Sequence, residues 1–369
     1  MPGSFHLTVE RLRIFDLRCL SEAELRLHPQ VNWIVGPNAA GKTSILEAVH
    51  LLSLGRSFRT RHLAELIRRG AERCVCSATL VSSDKGGGHR IGIELTPQGR
   101  RVRIDGRPVR SSRELARVLR VRIVHPQSHQ LVSGAPAHRR ALLDWTMFHV
   151  EHDFEHVWSA YQRSMEQRNA ALRDPAEAVA LPHWERQMAD WGERLHALRA
   201  KLVEPFGQGL REELAHLLPE CSVRLSYRRG WPQGRTLAEA LEAARSGDRR
   251  VGHSRVGPHR AELVLDTPLG PARRMLSQGQ QKLLVLALLI AQFRLVSTRG
   301  EGSGMLLVDD LAAELDASRW AIAVERLKAL QVQLLVTALA VPSVVDRTPN
   351  EGAWFHVEQG RVTQGAGFD

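Results

Sequence analysis

Gly36-Pro37-Asn38-Ala39-Ala40-Gly41-Lys42-Thr43 lies between the apolar run Val31–Val35 and the helix-forming stretch Ser44–Leu52. A strand, a glycine loop and a helix in that order converge several backbone N–H groups and a helix N-terminus on one point, where a phosphate would sit. This is the Walker A pattern. Gly36 and Gly41 let the backbone curl tightly, Lys42 reaches the β- and γ-phosphates, and the Thr43 hydroxyl can ligate Mg²⁺. The expected nucleotide-binding set is therefore Gly36, Pro37, Asn38, Ala39, Ala40, Gly41, Lys42, Thr43 and Ser44. Almost all basic residues of the chain are arginine, the lysines being Lys42, Lys85, Lys201, Lys282 and Lys328. A lysine at the loop is the more telling for that, because a compact ammonium suits the phosphates where a guanidinium fork fits poorly.

The chain's 369 residues suffice for one large or two ordinary domains, and a 43% hydrophobic content can form real cores. A net charge of +11 favours a polyanionic partner such as nucleic acid. Met1-Pro-Gly-Ser-Phe-His6 shows no charged region followed by an apolar run, so no secretory signal is expected. Leu283–Ala291 is too short for a bilayer and reads as a buried helix. Cys19, Cys74, Cys76 and Cys221 form no paired framework and no zinc spacing. A cytoplasmic, reduced protein without a membrane partner is the expectation.

His6–Ile14 and Ala23–Leu27 alternate in period two as an antiparallel pair. Gly55-Arg56-Ser57-Phe58-Arg59-Thr60-Arg61 is a basic loop with one aromatic, so Arg56, Arg59 and Arg61 are candidates for DNA or nucleotide-phosphate contact. Cys74–Val81, Arg90–Leu95 and Arg100–Ile104 read as strands, with Asp105-Gly106 a hairpin turn. Val121–Val124 is a further strand. From Ala137 to about Leu218 the period is helical, in runs Ala137–Val150, His152–Leu172 and His183–Val203, too short for an extended coiled-coil arm. Trp145, Trp158, Trp184 and Trp191 read as core packing. Val223–Tyr227 is a short strand and Thr236–Arg245 a helix. The last third returns to loop, apolar helix, apolar strand, helix, strand, the grammar of a parallel sheet.

Two further motifs lie there. Ser277-Gln278-Gly279-Gln280 opens the apolar helix Lys282–Val296, with Ser277 able to cap it and Gly279 leaving its N-terminus open to a phosphate. It resembles the Leu-Ser-Gly-Gly-Gln signature of ATP-binding-cassette ATPases, with Gln278 in place of the first glycine. Met305–Val308 followed by Asp309-Asp310 is a Walker B pattern, two carboxylates at the C-terminal edge of a buried strand. Asp309 would hold Mg²⁺, and Asp310 would orient and polarise the attacking water. Asp316 matches the D-loop. Thr337 stands where many cassette ATPases carry a γ-phosphate-sensing His, and with Lys42 and Asp310 it completes the expected catalytic set.

Together with Gly55–Arg59, Leu131–Asp144 (including Arg139-Arg140…Asp144), Gly257-Pro-His-Arg260 and Leu307–Asp316, these residues resemble the RecF family of bacterial recombination-repair ATPases related to SMC heads. Departures are Ala141-Leu142-Leu143 before Asp144, and Ala39-Ala40 where the family commonly has Gly-Ser. The resemblance implies an α/β fold: an ATP-binding-cassette, SMC-head-like P-loop ATPase lobe with an inserted mainly helical lobe and no long coiled coil. The expected division is 1–125 (Walker A), 126–254 (helical insertion) and 255–369 (signature, Walker B and D-loop). It also implies ATP and Mg²⁺ as cofactors and an ATP-induced homodimer in which the Walker site of one copy and the signature helix of another sandwich each nucleotide. Such a dimer would bind gapped or single-strand/duplex junction DNA, help to load RecA with RecR and RecO, and be released by slow hydrolysis. Competing readings are a transporter's ATPase subunit, an SMC-like structural head and a DNA-binding scaffold without turnover. The Arg139-Arg140 motif and the charge argue against the first, and the lack of long heptad arms against the second.

Overall fold

The computed structural model describes residues 7–82, 87–299, 304–310, 315–340 and 352–365. Its main elements, in chain order, are β1 (Leu7–Leu17), β2 (Leu20–Arg26), β3 (Val31–Val35), α1 (Lys42–Leu54), β4 (Cys74–Ser82), β5 (Gly88–Thr96), β6 (Gly99–Ile104), β7 (Arg107–Pro108), α2 (Ser112–Val118) and β8 (Arg120–Val124). There follow α3 (Gln130–Ser133), α4 (Pro136–Val150), α5 (Phe154–Arg173), α6 (Leu181–Leu217), β9 (Arg224–Arg228), α7 (Leu237–Val251), β10 (Glu262–Thr267), β11 (Gly270–Pro271), α8 (Ala272–Met275) and α9 (Gln278–Arg299). The chain closes with β12 (Gly304–Val308), α10 (Ala317–Lys328), β13 (Gln333–Ala338), β14 (Ala353–Glu358) and β15 (Arg361–Gly365). It divides into two compact units, 1–128 with 301–369, and 129–300.

The first unit contains two six-stranded sheets, ordered β15-β14-β3-β13-β12-β8 and β2-β1-β4-β5-β6-β7. In the former, β3, β13, β12, β8 and β14 run parallel. Parallel strands covered on both faces read as unbroken apolar runs, and every residue of β3 and β13 is buried. Two polar residues survive inside because their amides are fully used. Asn32 donates to the carbonyls of His28 and Leu334, and Gln333 bonds both backbone groups of Val9. The second sheet is antiparallel, and burial alternates along its strands between a buried face and a half-buried one. α1 packs against strands of both sheets and is buried nearly all round, so its buried polar residues Lys42, Glu47, His50 and Ser53 all take hydrogen-bond partners. On α10, Trp320 meets Trp33 edge-on at 6.3 Å, and Trp354 stacks on Trp33 at 5.5 Å.

The second unit is built on α5, α6 and α9 with the three-stranded sheet β11-β10-β9. α6 runs 37 residues and passes through Pro205, further than the expected end at Val203. By length and composition α9 would cross a membrane, but 72% of its apolar window is enclosed by protein, as expected of a core helix. The unit boundary differs from the expected division slightly at 126–128, which fall in the first unit, and substantially further on. Residues 255–300, assigned from sequence to the ATPase lobe, sit in the helical unit, because β10 pairs with β9 and α9 packs on α6 and α4. The signature stretch therefore belongs to a different compact unit from the two Walker motifs.

Candidate nucleotide-binding site

The phosphate loop leaves β3 and enters α1 with no side-chain cap at Gly41. Its glycines are sterically required. A Cβ on Gly36, at φ +156°, would lie 2.0 Å from the carbonyl oxygen of Val357, and one on Gly41, at φ +118°, would lie 3.0 Å from Cys19 and Leu20. Ala39 adopts φ +61°, the left-handed conformation that costs a residue with a Cβ about 1–2 kcal/mol. Glycine would sit there freely, so the alanine stiffens the loop at the expense of strain. Lys42, 5% exposed, donates to the carbonyls of Gly36 at 2.7 Å and Pro37 at 3.0 Å. A cavity of ≈ 370 Å³ opens over the loop, lined by Asn38, Ala39, Gly41, Lys42, Thr43 and Ser44, and also by Arg18, Cys19, Arg59 and Asp310.

The Walker B carboxylates meet this loop. Strand pairing of β12 with β8 ends in a hydrogen bond from Asp309 N to Val124 O, 2.8 Å. Thr43 donates to the Asp309 carboxylate at 3.0 Å, and Thr337 donates to Oδ1 at 2.9 Å. Burial pushes the Asp309 carboxyl up, and the neighbouring Asp310 charge adds to this against the lowering effect of the two hydroxyls. Asp310 turns out of the strand at φ +53°, held by its N–H to Thr337 Oγ1 at 2.9 Å. Its Oδ1 is buried without a partner among the described residues. A hydroxyl and a carboxylate converging on one point are the hard oxygen donors that Mg²⁺ takes from protein, the rest coming from water and phosphate. The donor set thus fits Mg²⁺. Thr337 itself is fully buried, and its contacts here are to the two aspartates.

A charged cluster that the sequence reading missed flanks the cavity. Glu47, on α1 and 0% exposed, accepts from Arg18 Nε at 3.0 Å and Nη2 at 3.1 Å, from Ser57 Oγ, and from Arg59 Nη1 at 3.5 Å. That bond to Glu47 is the main reason the Arg18 guanidinium holds its proton more tightly than usual. A lone acid inside the apolar run Ile45–Leu52 was the available signal. Of the three arginines proposed from loop 55–61, Arg59 lines the cavity, while Arg56 and Arg61 are exposed outside it.

In the second unit, Ser277 Oγ accepts from Gln280 N while Gln280 Oε1 accepts from Ser277 N, a reciprocal cap at the start of α9. Ser277 and Gln278 are exposed, and a Cβ on Gly279 would meet nothing within 4 Å. Asp316 caps α10, accepting from Arg319 N at 2.9 Å and from Ser318 Oγ at 2.6 Å. The Ser318 bond chiefly holds its carboxyl below the usual range. The neighbouring Glu314 lies outside the described residues. Arg139, Arg140 and Asp144 are engaged with partners inside the second unit. Arg139 donates to the carbonyls of Leu131, Val132 and Gly134, Arg140 to Ala261 O, and Asp144 accepts from Arg199 at 2.6 and 2.9 Å. The stretch Gly257–Arg260 joins the same network through Pro258 O, which accepts from Arg199, and His259, which meets the Tyr161 hydroxyl at 2.6 Å.

Comparisons with known proteins agree on one family. The model described as "RecF/RecN/SMC N terminal domain" matches residues 8–360. The DNA replication and repair protein RecF of Erwinia tasmaniensis is 36% identical over 359 residues, covering 96% of this chain and 98% of that protein. RecF of Chromohalobacter salexigens is 37% identical over 362 residues, covering 96% and 99%. Among solved structures, the recombination mediator protein RecF-ATP superposes with a TM-score of 0.83 at 22% identity, covering 99% of each chain. An SMC head bound to the C-terminal winged-helix domain of ScpA gives 0.63 at 16% identity over 97% of this chain and 96% of that one.

Proposed function

We propose, from the premise that this chain belongs to the RecF family, that it is a DNA replication and repair protein whose grip on DNA is switched by ATP. The observation that carries the reading is the convergence of Lys42, Thr43 and Asp310 on one cavity, with the Asp309 carboxylate bonded to Thr43 beside it. Lys42 would leave its two carbonyl partners for the β- and γ-phosphates, and the first-turn N–H groups of α1 would receive the remaining phosphate oxygens. Thr43 and Asp309 would hold Mg²⁺, which when bound neutralises charge building on the phosphates. Asp310, with Oδ1 facing no protein donor, would orient the attacking water and take up its proton. Thr337 would fix both aspartates rather than sense the γ-phosphate. Its side chain being one methylene shorter than the usual glutamate, Asp310 suits slow turnover, so ATP acts as a switch.

The exposed Ser277–Gln280 helix start would close over the nucleotide of a second copy, giving a two-fold dimer held by two ATP molecules. By the family's precedent, that dimer would recognise single-strand/duplex junctions at gaps and act in the cytoplasm with RecR and RecO to help load RecA. The test is binding to gapped, duplex and single-stranded DNA with ATP, with ADP and without nucleotide, alongside Lys42→Arg. Tight binding confined to ATP and lost in the variant is expected. Equal binding throughout would sink the switch and leave a passive DNA-binding scaffold.

A further inference from the structure

Residues 100–122 carry nine arginines against Asp105 and Glu114, a net +7 within a chain whose total is +11. The fold gathers most of this stretch at one border of the first unit. β6 and β7 are the terminal strands of the antiparallel sheet, and Arg100, Arg101, Arg103, Arg107 and Arg110 along them are exposed. Arg101 is 84% exposed, with Glu94 only at 3.7 Å. Arg103 stands opposite Gly92, where an added Cβ would meet nothing within 4 Å, so the approach to it is open. Beyond the sheet ladder, the side chains of Arg103, Arg107 and Arg110 face outward with no hydrogen bond or close ion pair among the described residues, Arg107 acting on Asp105 only through its charge.

Edge strands are commonly blunted by a charge or two against edge-to-edge pairing. That need does not explain five arginines on and beside two short strands, whose mutual repulsion at strand spacings of about 4.8 Å is unfavourable. A phosphodiester backbone relieves it, and the residues between the arginines are Val102, Ile104, Gly106, Pro108 and Val109, with Asp105, whose carboxylate is already taken up by His89 and the Arg90 N–H. We propose that the arginine border of β6 and β7 is the surface on which this protein holds the DNA backbone, without reading sequence. The assignment rests on the DNA-binding reading above and takes that role from loop 55–61, whose Arg59 faces the nucleotide cavity. One hydrogen bond joins the border to the C-terminal end of the Walker helix. Arg100 donates to the carbonyl of Gly55, the residue that ends the Walker helix.

The experiment compares Arg103→Glu/Arg107→Glu/Arg110→Glu with a control of equal charge change, Arg211→Glu/Arg249→Glu/Arg250→Glu, which are exposed arginines of the second unit. Binding of a fluorescent gapped duplex is titrated with salt in the presence of ATP, and nucleotide binding is measured on each variant as a fold control. The border variant should lose at least tenfold in DNA affinity at fixed salt, and its log–log salt slope should fall by about three, close to one per lost phosphate contact. The control should keep the wild-type slope, and both should bind nucleotide. Equal DNA affinity and slope in the two variants would overturn the assignment. Should the glutamates disturb folding, the Arg→Gln triple carries the same expectation with a smaller loss. Wild-type protein that binds no DNA with any nucleotide would instead overturn the DNA-binding reading, and this surface with it.

Discussion

The hydroxyl of Thr337 lies 2.9 Å from Oδ1 of Asp309, and the two residues stand at the ends of adjacent parallel strands whose last paired residues are Val336 and Val308. One oxygen thereby holds both Walker B acids, since it also accepts from Asp310 N. Thr337→Val keeps the shape but removes these bonds, at an expected stability loss of about 1–3 kcal/mol.

The same substitution has a pH signature. Burial already holds the Asp309 carboxyl above its ordinary range, and the Thr337 bond opposes that. Mg²⁺ needs the ionised form, so Mg²⁺-nucleotide binding should strengthen as pH rises through the raised carboxylate range. In Thr337→Val the acid limb should move to higher pH. Without Mg²⁺ the sign reverses: a carboxyl raised on folding contributes stability at low pH, lost as pH rises from the unfolded toward the folded value. Nucleotide titrations and thermal melts across the acid range check both halves, and identical limbs in the two proteins would contradict the assignment.

Lys42→Met removes the ammonium that now bonds Gly36 O and Pro37 O. Losing charged hydrogen bonds to phosphate, each about 1.5–3 kcal/mol, should weaken ATP by at least about tenfold. Light scattering should then show no ATP-induced dimer.

Ser277→Arg separates the two steps. ATP binding to the Walker loop should persist while dimerisation is lost, with about 1 kcal/mol of helix-cap stability given up as well. Dimerisation of either variant at wild-type ATP concentrations would refute the shared-nucleotide arrangement.

Ala39→Gly should raise the melting temperature slightly. Relief of the left-handed alanine, about 1–2 kcal/mol, outweighs the glycine's extra unfolded-state entropy, about 0.5–1 kcal/mol. A lower melting temperature would show that φ +61° is not strained here.

Asp144→Ala should be far more damaging, although it lies in the other unit from the Walker cavity. Arg199, 2% exposed, would lose its carboxylate, and a buried charge stripped of its partner costs about 3–5 kcal/mol. Calorimetry or urea unfolding reads the loss directly.

Local chemistry was legible in the sequence wherever spacing alone dictates it. The loop at Gly36–Thr43, the aspartates after β12 and the cap at Ser277 depend on neighbours a few residues away, and α4 and α5 fell within two residues of their expected bounds. What escaped depends on distant partners. Glu47 meets Arg18 across 29 positions of chain. α6 overrode the stop signal of Pro205, because packing against α5 and α9 outweighs a local preference. The arginine motif read as family-specific, but its targets, Ala261 and Glu262, lie more than a hundred residues on.

The strand before the phosphate loop has a further consequence, for synthesis. β3 is flanked by β13 and β14, so the pairing of Val31 with Leu334 and of Asn32 with Ala353 must wait until nearly the whole chain exists. At about 5–20 residues per second that delay is some tens of seconds on the ribosome. The helical unit, whose contacts lie within 129–300, is complete earlier. The first wholly buried strand to emerge is thus among the last to be paired, and chaperone occupancy of the nascent N-terminal third should govern how much of the chain escapes aggregation.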